Sequence, residues 1–443
     1  MKKGLILALC LSMTMLFVSA CSSDNNNNDG NAKPSGSASA TTPAASQVKL
    51  TFAIWGNDTH KKMYEDMIAK YKTIKPNVDV EVMTIPAGEY QQKISVMLAS
   101  KTAPDIMWML ERAIPQFLDN GQVVDIASAV KNDAEYDFGD FIPSTLELVT
   151  RGDQLYGIPF STPPNMIYYN KNLFEAKGLK TPTELYKEGN WTYEEMEKAA
   201  QAISDSSNGV YGFNMILPSQ SWTGSWMESI ISLVWAFGAD YFSPDNKKFA
   251  LNTPEGEKAL QFFSDAMFKK QIHPKPGDQT GFESGKIGMQ QNLLSYIGKA
   301  KEIKDFEWDI APMPKGPGGS QGTTLGYAAY MVTKDSEHSE EAIDFLKYLT
   351  SKENMAITSQ FFVPGRTSVL GSDDFLKQGP SPESVKMAIL DQMADARVRP
   401  GFNNYQRIDD KMKQNFDSIY TQSGTIPDIL KKMESDVSPI LVE

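Results

Sequence analysis

Leu50, Phe52 and Ile54 fall on one face of an alternating stretch, the period of two that a half-buried strand requires. The period then changes. Met63, Met67, Tyr71 and Ile74 recur at intervals of four, four and three, which places them on one side of a helix. Alternation returns over Val78-Asp79-Val80-Glu81-Val82. Tyr90, Ile94, Met97 and Leu98 make the stripe of a second helix, from about Glu89 to Lys101, and Pro104 stops it. Ile106-Met107-Trp108-Met109-Leu110 is apolar throughout, as for a strand covered on both faces. The series strand, helix, strand, helix, strand predicts right-handed βαβ units on a parallel sheet.

Two strand-like pieces follow, Tyr156 to Phe160 and Met166 to Tyr169, separated by Pro163-Pro164. A double proline cannot sit inside a sheet, so a crossing between lobes is expected there. Trp191 opens a helix that Thr192 can cap, with Glu195 placed to close a capping box. Apolar helical segments run from Met227 to Phe237 and from Gly256 to Phe268. Phe306 to Ile310 reads as extended, and the proline- and glycine-rich stretch from Pro312 to Gly319 as a surface turn. Tyr327 to Val332 is a strand, and Ser339 is placed to cap the helix carrying Ala342, Phe345, Leu346 and Leu349. Tyr405 to Leu430 reads as helices broken near Gly424 and Pro427. No repeat of solenoid length is visible.

The amino terminus has another character. Lys2 and Lys3 precede the 15 residues Gly4 to Val18, apolar apart from Ser12 and Thr14, and Val18-Ser19-Ala20-Cys21 follows. This resembles a bacterial lipoprotein signal, and the run is short for a membrane span of about 20 residues. The resemblance implies a signal peptide over 1–20, diacylglycerol on Cys21, and anchorage to the extracytoplasmic face of the cell membrane. Residues 21–46 then form a tether, rich in Ser, Asn, Gly and Thr and without large apolar side chains. Cys10 leaves with the signal, so the body has no cysteine for disulfide or thiolate chemistry. Net charge is −12, or −14 once Lys2 and Lys3 are removed, which argues against nucleic-acid binding.

Several stretches of the body resemble the bacterial extracellular solute-binding proteins of the maltose-binding-like group. They are Pro104-Asp105-Ile106; Tyr156-Gly157-Ile158-Pro159 with Tyr168-Tyr169-Asn170-Lys171-Asn172-Leu173-Phe174; Phe282-Glu283-Ser284-Gly285-Lys286-Ile287-Gly288-Met289 with Ala311-Pro312-Met313-Pro314; and Ala342 to Leu349. The resemblance implies a two-lobed α/β fold of the type II periplasmic-binding-protein kind, with a ligand cleft between lobes and about three hinge crossings. Lobe 1 is expected over 47–160 plus 327–364 and lobe 2 over 161–326 plus 365–443. It further implies a monomeric receptor that hands a carbohydrate, an oligosaccharide, to the permease of an ABC importer, with no catalysis, cofactor or metal. No phosphate-binding G-x-x-x-x-G-K-[ST] loop is present.

A sugar site wants aromatic platforms for C–H faces, with carboxylates, amides and arginine for hydroxyls. Ligands of open α/β sheets lie beyond the carboxyl ends of the strands. That rule selects Trp55 and Asp58, Glu89, and Trp108 with Glu111 and Arg112; Trp108 serves the core equally well. Trp222 and Trp226 are candidates from the second half. Asn292 and Tyr296, Gly326 and Tyr327, Arg366 and Arg399 lie at the crossings and late segment that the resemblance brings to the cleft, where Phe402, Asn403 and Tyr405 also fall. Arg112, Arg366 and Arg399 motivate an alternative, an acidic or phosphorylated sugar or polyol. A surface polysaccharide-degrading enzyme is a lesser alternative. His60, His273 and His338 make no i, i+4 pair and give little support to a metal site or a triad.

Overall fold

The structure is a computed structural model that describes residues 46–217, 222–402 and 404–442. The expected signal peptide and Cys21 therefore lie outside the described residues, as does Asn403.

The early alternation becomes β1 (Val48–Ile54), β2 (Val78–Thr84) and β3 (Ile106–Leu110), joined through helices α1 (Asp58–Ile74) and α2 (Ala87–Ala99). Asn57 caps α1, its side chain accepting from the His60 amide. Further strands are β4 (Ile158–Ser161), β5 (Met166–Asn170), β6 (Tyr211–Asn214), β7 (Ile287–Asn292), β8 (Trp308–Ala311), β9 (Thr324–Leu325), β10 (Ala328–Val332) and β11 (Arg397–Val398).

Two sheets divide the body into two lobes. The first has the order β2-β1-β3-β10-β4. Its β1 runs parallel to β2 and β3, as the βαβ pattern predicts, while β10 closes it antiparallel to β3 and β4. The second has the order β8-β5-β7-β6, with β5 antiparallel to both neighbours and β6 parallel to β7. Each sheet has its own apolar core. Phe52, Ile106, Trp108, Tyr330 and Phe345 centre the first, and Phe213, Trp226, Leu260, Phe263 and Met412 the second.

Pro163 and Pro164 lie between the sheets, between β4 and β5. Gly326 donates its amide to the Pro163 carbonyl at 2.9 Å, so the first two crossings run side by side. β11 adds to β9 alongside them. Pro364-Gly365-Arg366 is the stretch expected to make the third crossing. Around it the two cores interleave: Val363 and Leu370 pack under β5 and β7, while Val369 packs in the first core and Arg366 donates to the Thr350 carbonyl.

Three local expectations change. His338, not Ser339, occupies the N-cap of the helix Ser339–Leu349, and the Ser339 hydroxyl donates back to the Ser336 carbonyl. Pro427 does not break the last helix. It sits in the first turn of Ile426–Leu441, where its missing N–H costs nothing, and Thr425 caps that turn. The predicted helix from Met227 opens with a π-turn, Trp226–Ile230, before continuing as α-helix over Ile231–Ala236.

Candidate functional site

Glu111 and Arg112 follow β3 directly and are the point where lobe 1 meets lobe 2. Arg399, just past β11, reaches back across the seam. Its guanidinium lies 2.8 Å from Glu111 and 3.6 Å from Glu228. Arg112 approaches Glu228 from the other lobe at 4.0 Å and donates through Nε to Gln91 at 3.1 Å. Two acids and two bases thus alternate across the lobes. Burial works against the Arg399 charge, but Glu111 and Glu228 together outweigh it and hold its pKa above the ordinary arginine value. Backbone packing closes the same seam. A Cβ on Gly401 would sit 2.6 Å from the Glu111 carbonyl oxygen and 2.8 Å from the Pro115 ring, so only glycine allows this approach.

Tyr327 lies under the pair. Burial, then the neighbouring Glu111, raises its pKa, and its hydroxyl is buried without a protein partner. Among the described residues, Glu111 Oε2 and Arg399 Nε are also buried and unpartnered. Gly326 is packed beside them, and a Cβ there would meet Pro163 at 3.2 Å and Arg399 at 3.5 Å. Tyr405, half-buried at the start of the helix Tyr405–Tyr420, completes the group. Burial, then Asp409, raises its pKa.

The π-turn aims Glu228 at this seam. A π-turn frees carbonyls that an α-helix would satisfy. Here side chains fill them: Tyr241 donates to the Trp226 carbonyl, Asn165 to that of Glu228 and Gln291 to that of Ser229. Glu228 is not among the sequence candidates. Its signal was a lone acid inside an otherwise apolar run.

The remaining candidates separate into surface and core. Trp55 stays half-buried after β1, edge-on to Trp108 and Tyr90 with centroids 4.7 and 5.0 Å away. Trp222 is half-buried too, with its edge against Tyr420 and the buried His273. Asp58 is exposed in the first turn of α1. Glu89 is exposed and paired along its own helix with Lys93 at 2.8 Å, away from the seam.

Trp108, Trp226 and Arg366 lie buried. Trp108 is fully buried among Trp55, Tyr64 and Phe160, because β3 is covered on both faces. Trp226 is fully buried and donates its indole N–H to Asp409 at 2.9 Å. Arg366 is 1% exposed and stacks on Phe141 and Tyr136. It donates to the carbonyls of Thr350, Asp137 and Tyr136 and pairs with Asp140. Asn292 ends β7 opposite Met166 with its Nδ2 buried and unpartnered. Tyr296 packs edge-on to Tyr168 in the core beneath.

A cavity of about 860 Å³ adjoins the seam, lined by Pro115, Ser144 and Glu147 of lobe 1 and by Trp235, Arg397 and Phe402 of lobe 2. Of the sequence candidates, Arg399 and Phe402 line it. Its tryptophan is already capped, with the Arg397 guanidinium 4.0 Å above the ring and held there by Asp240. It offers no free platform at Trp235, and the Glu111–Arg112–Glu228–Arg399 seam, flanked by Tyr405, is the better candidate. Among the described residues no cluster of His, Cys, Asp and Glu could hold a metal ion.

A family model described as bacterial extracellular solute-binding protein matches residues 57–356. A putative binding protein of Brucella abortus (strain 2308) is 23% identical over 414 residues, covering 91% of this chain and 95% of its own. The arabinooligosaccharide-binding protein of Bacillus subtilis (strain 168) is 23% identical over 411 residues, covering 86% and 90%. Among solved structures, the cyclic alpha-maltosyl-1,6-maltose binding protein from Arthrobacter globiformis superposes with a TM-score of 0.77 at 23% identity, covering 89% of this chain and 99% of that one.

Proposed function

We propose that this chain, which belongs to the family of bacterial extracellular solute-binding proteins, is a monomeric receptor that clamps an oligosaccharide between its lobes and delivers it unaltered to the permease of an ABC importer. The observation that carries this reading is the seam itself. Glu111 and Arg112 of lobe 1 interlock with Glu228 and Arg399 of lobe 2, and three buried polar atoms there lack protein partners. A hydroxyl-rich ligand both donates and accepts hydrogen bonds, which suits such a mixed set. The ligands named for similar proteins, arabinooligosaccharides and a cyclic maltosyl-maltose, support a carbohydrate. Ligand contacts on both lobes shift an open–closed equilibrium toward closed, the form offered to the permease.

The experiment is a thermal-shift screen of the purified protein against neutral and acidic mono- and oligosaccharides. At least one saccharide should raise the melting temperature by mass action and be recovered intact. No rise with any of them, or consumption of the sugar, would overturn the reading. The protein's place at the extracytoplasmic membrane face follows from lipidation of Cys21. Cys21→Ser should abolish incorporation of labelled fatty acid and release the protein from the membrane fraction; retention of label would contradict it.

A further inference from the structure

We propose that Glu228 is the residue that fixes the ligand as uncharged. The inference rests on the carbohydrate reading above and narrows it. Three arginines could call for an anionic sugar, and each is already answered. Arg366 is engaged inside lobe 1 by Asp140 and three carbonyls. Arg399 lies between Glu111 and Glu228, and Arg112 faces Glu228. These four side chains sum to zero charge. The next pair outward, Asp409 with Lys413 at 2.5 Å, is neutral as well. An anion entering the seam would meet two carboxylates that reached the arginines first, in a setting where like charges repel strongly. A hydroxyl meets no such penalty. It can accept from Arg399 Nε or the Tyr327 hydroxyl and donate to Glu111 Oε2 once the seam opens to admit it.

Glu228 is the member of the four whose backbone is most elaborately fixed. Tyr241, Asn165 and Gln291 hold the carbonyls of its π-turn at 2.9, 3.0 and 3.2 Å, and the Leu217 amide donates to Ser229 Oγ at 3.1 Å. Asn165 directly follows the double-proline crossing, so the hinge strand itself positions this carboxylate. Return of the turn to α-helical register would rotate Glu228 away from both arginines.

The test compares wild type, Glu228→Gln and Glu228→Asp by calorimetry. The probes are neutral oligosaccharides, each paired with its uronate or aldonate counterpart. Wild type should prefer the neutral member by about tenfold or more, and Glu228→Gln should narrow that ratio by about tenfold. Glu228→Asp, which keeps the charge, should restore it. Wild-type preference for the acidic member, or an unchanged ratio in Glu228→Gln with neutral binding intact, overturns this inference and leaves the carbohydrate reading standing. Failure of wild type to bind either class overturns both. Should Glu228→Gln not fold, wild-type salt dependence decides. Affinity for the neutral member should be independent of salt, and a steep dependence contradicts the neutral seam.

Discussion

Arg366 and Arg399 are both buried arginines, and their surroundings assign them opposite duties. Arg366 is a lobe-1 staple, so Arg366→Met should lower unfolding stability by about 3 kcal/mol or more, because it strands Asp140 and three carbonyls. Ligand affinity measured well below the melting temperature should not change. Arg399→Met removes an arginine within reach of both Glu111 and Glu228 and should weaken ligand binding by about tenfold or more. Trp222→Ala should likewise reduce binding while leaving the melting temperature nearly unchanged, since the ring is half-buried and meets Tyr420 and His273 edge-on. Calorimetry and thermal melts on the three variants separate these roles. Residue type alone could not. Arginine and tryptophan serve cores and clefts equally, and Trp108, Trp226 and Arg366 differ from Trp55, Trp222 and Arg399 chiefly in what the other lobe or sheet lays over them.

Elements were more legible, because periodicity follows from burial on one face. β1, α1, β2, α2 and β3 lie where the alternation and the helical stripes place them, within a residue or two at most ends. The π-turn escaped, since its apolar residues Trp226, Met227 and Ile230 satisfy an α-helical stripe equally well. What distinguishes it is the set of distant donors, Tyr241, Asn165 and Gln291, and no local pattern announces them. Gly401→Ala should push the segment after β11 off Glu111 and Pro115 and weaken ligand binding, read by calorimetry. His273 behind Trp222 is held neutral, accepting from the Met215 amide and facing the Pro274 carbonyl, and burial depresses its pKa to about 4. The unfolded chain therefore takes up this proton near pH 6.5 while the folded one resists it. The stabilisation is complete above about 6.5 and is lost as pH falls toward 4, by roughly 3 kcal/mol in all. Urea midpoints at pH 7 and 5 should show the fall, and His273→Gln should flatten it.

The two-lobed whole was legible through the order of its motifs, each weak alone. The lobes differ in how they follow from sequence. The first sheet takes β1, β2 and β3 from one continuous stretch, and β4 and β10 return to it from far along the chain. Such long-range pairings, like the seam of Glu111 with Arg399, depend on the hinge geometry that Pro163, Pro164 and Gly326 set together. Both lobes should close on an uncharged carbohydrate. Small-angle scattering during titration of the purified protein with neutral oligosaccharides tests it most directly. The radius of gyration should fall, saturably and at one ligand per protein, for at least one neutral member. A radius that no neutral saccharide changes, or one that falls only with acidic members, would contradict the claim.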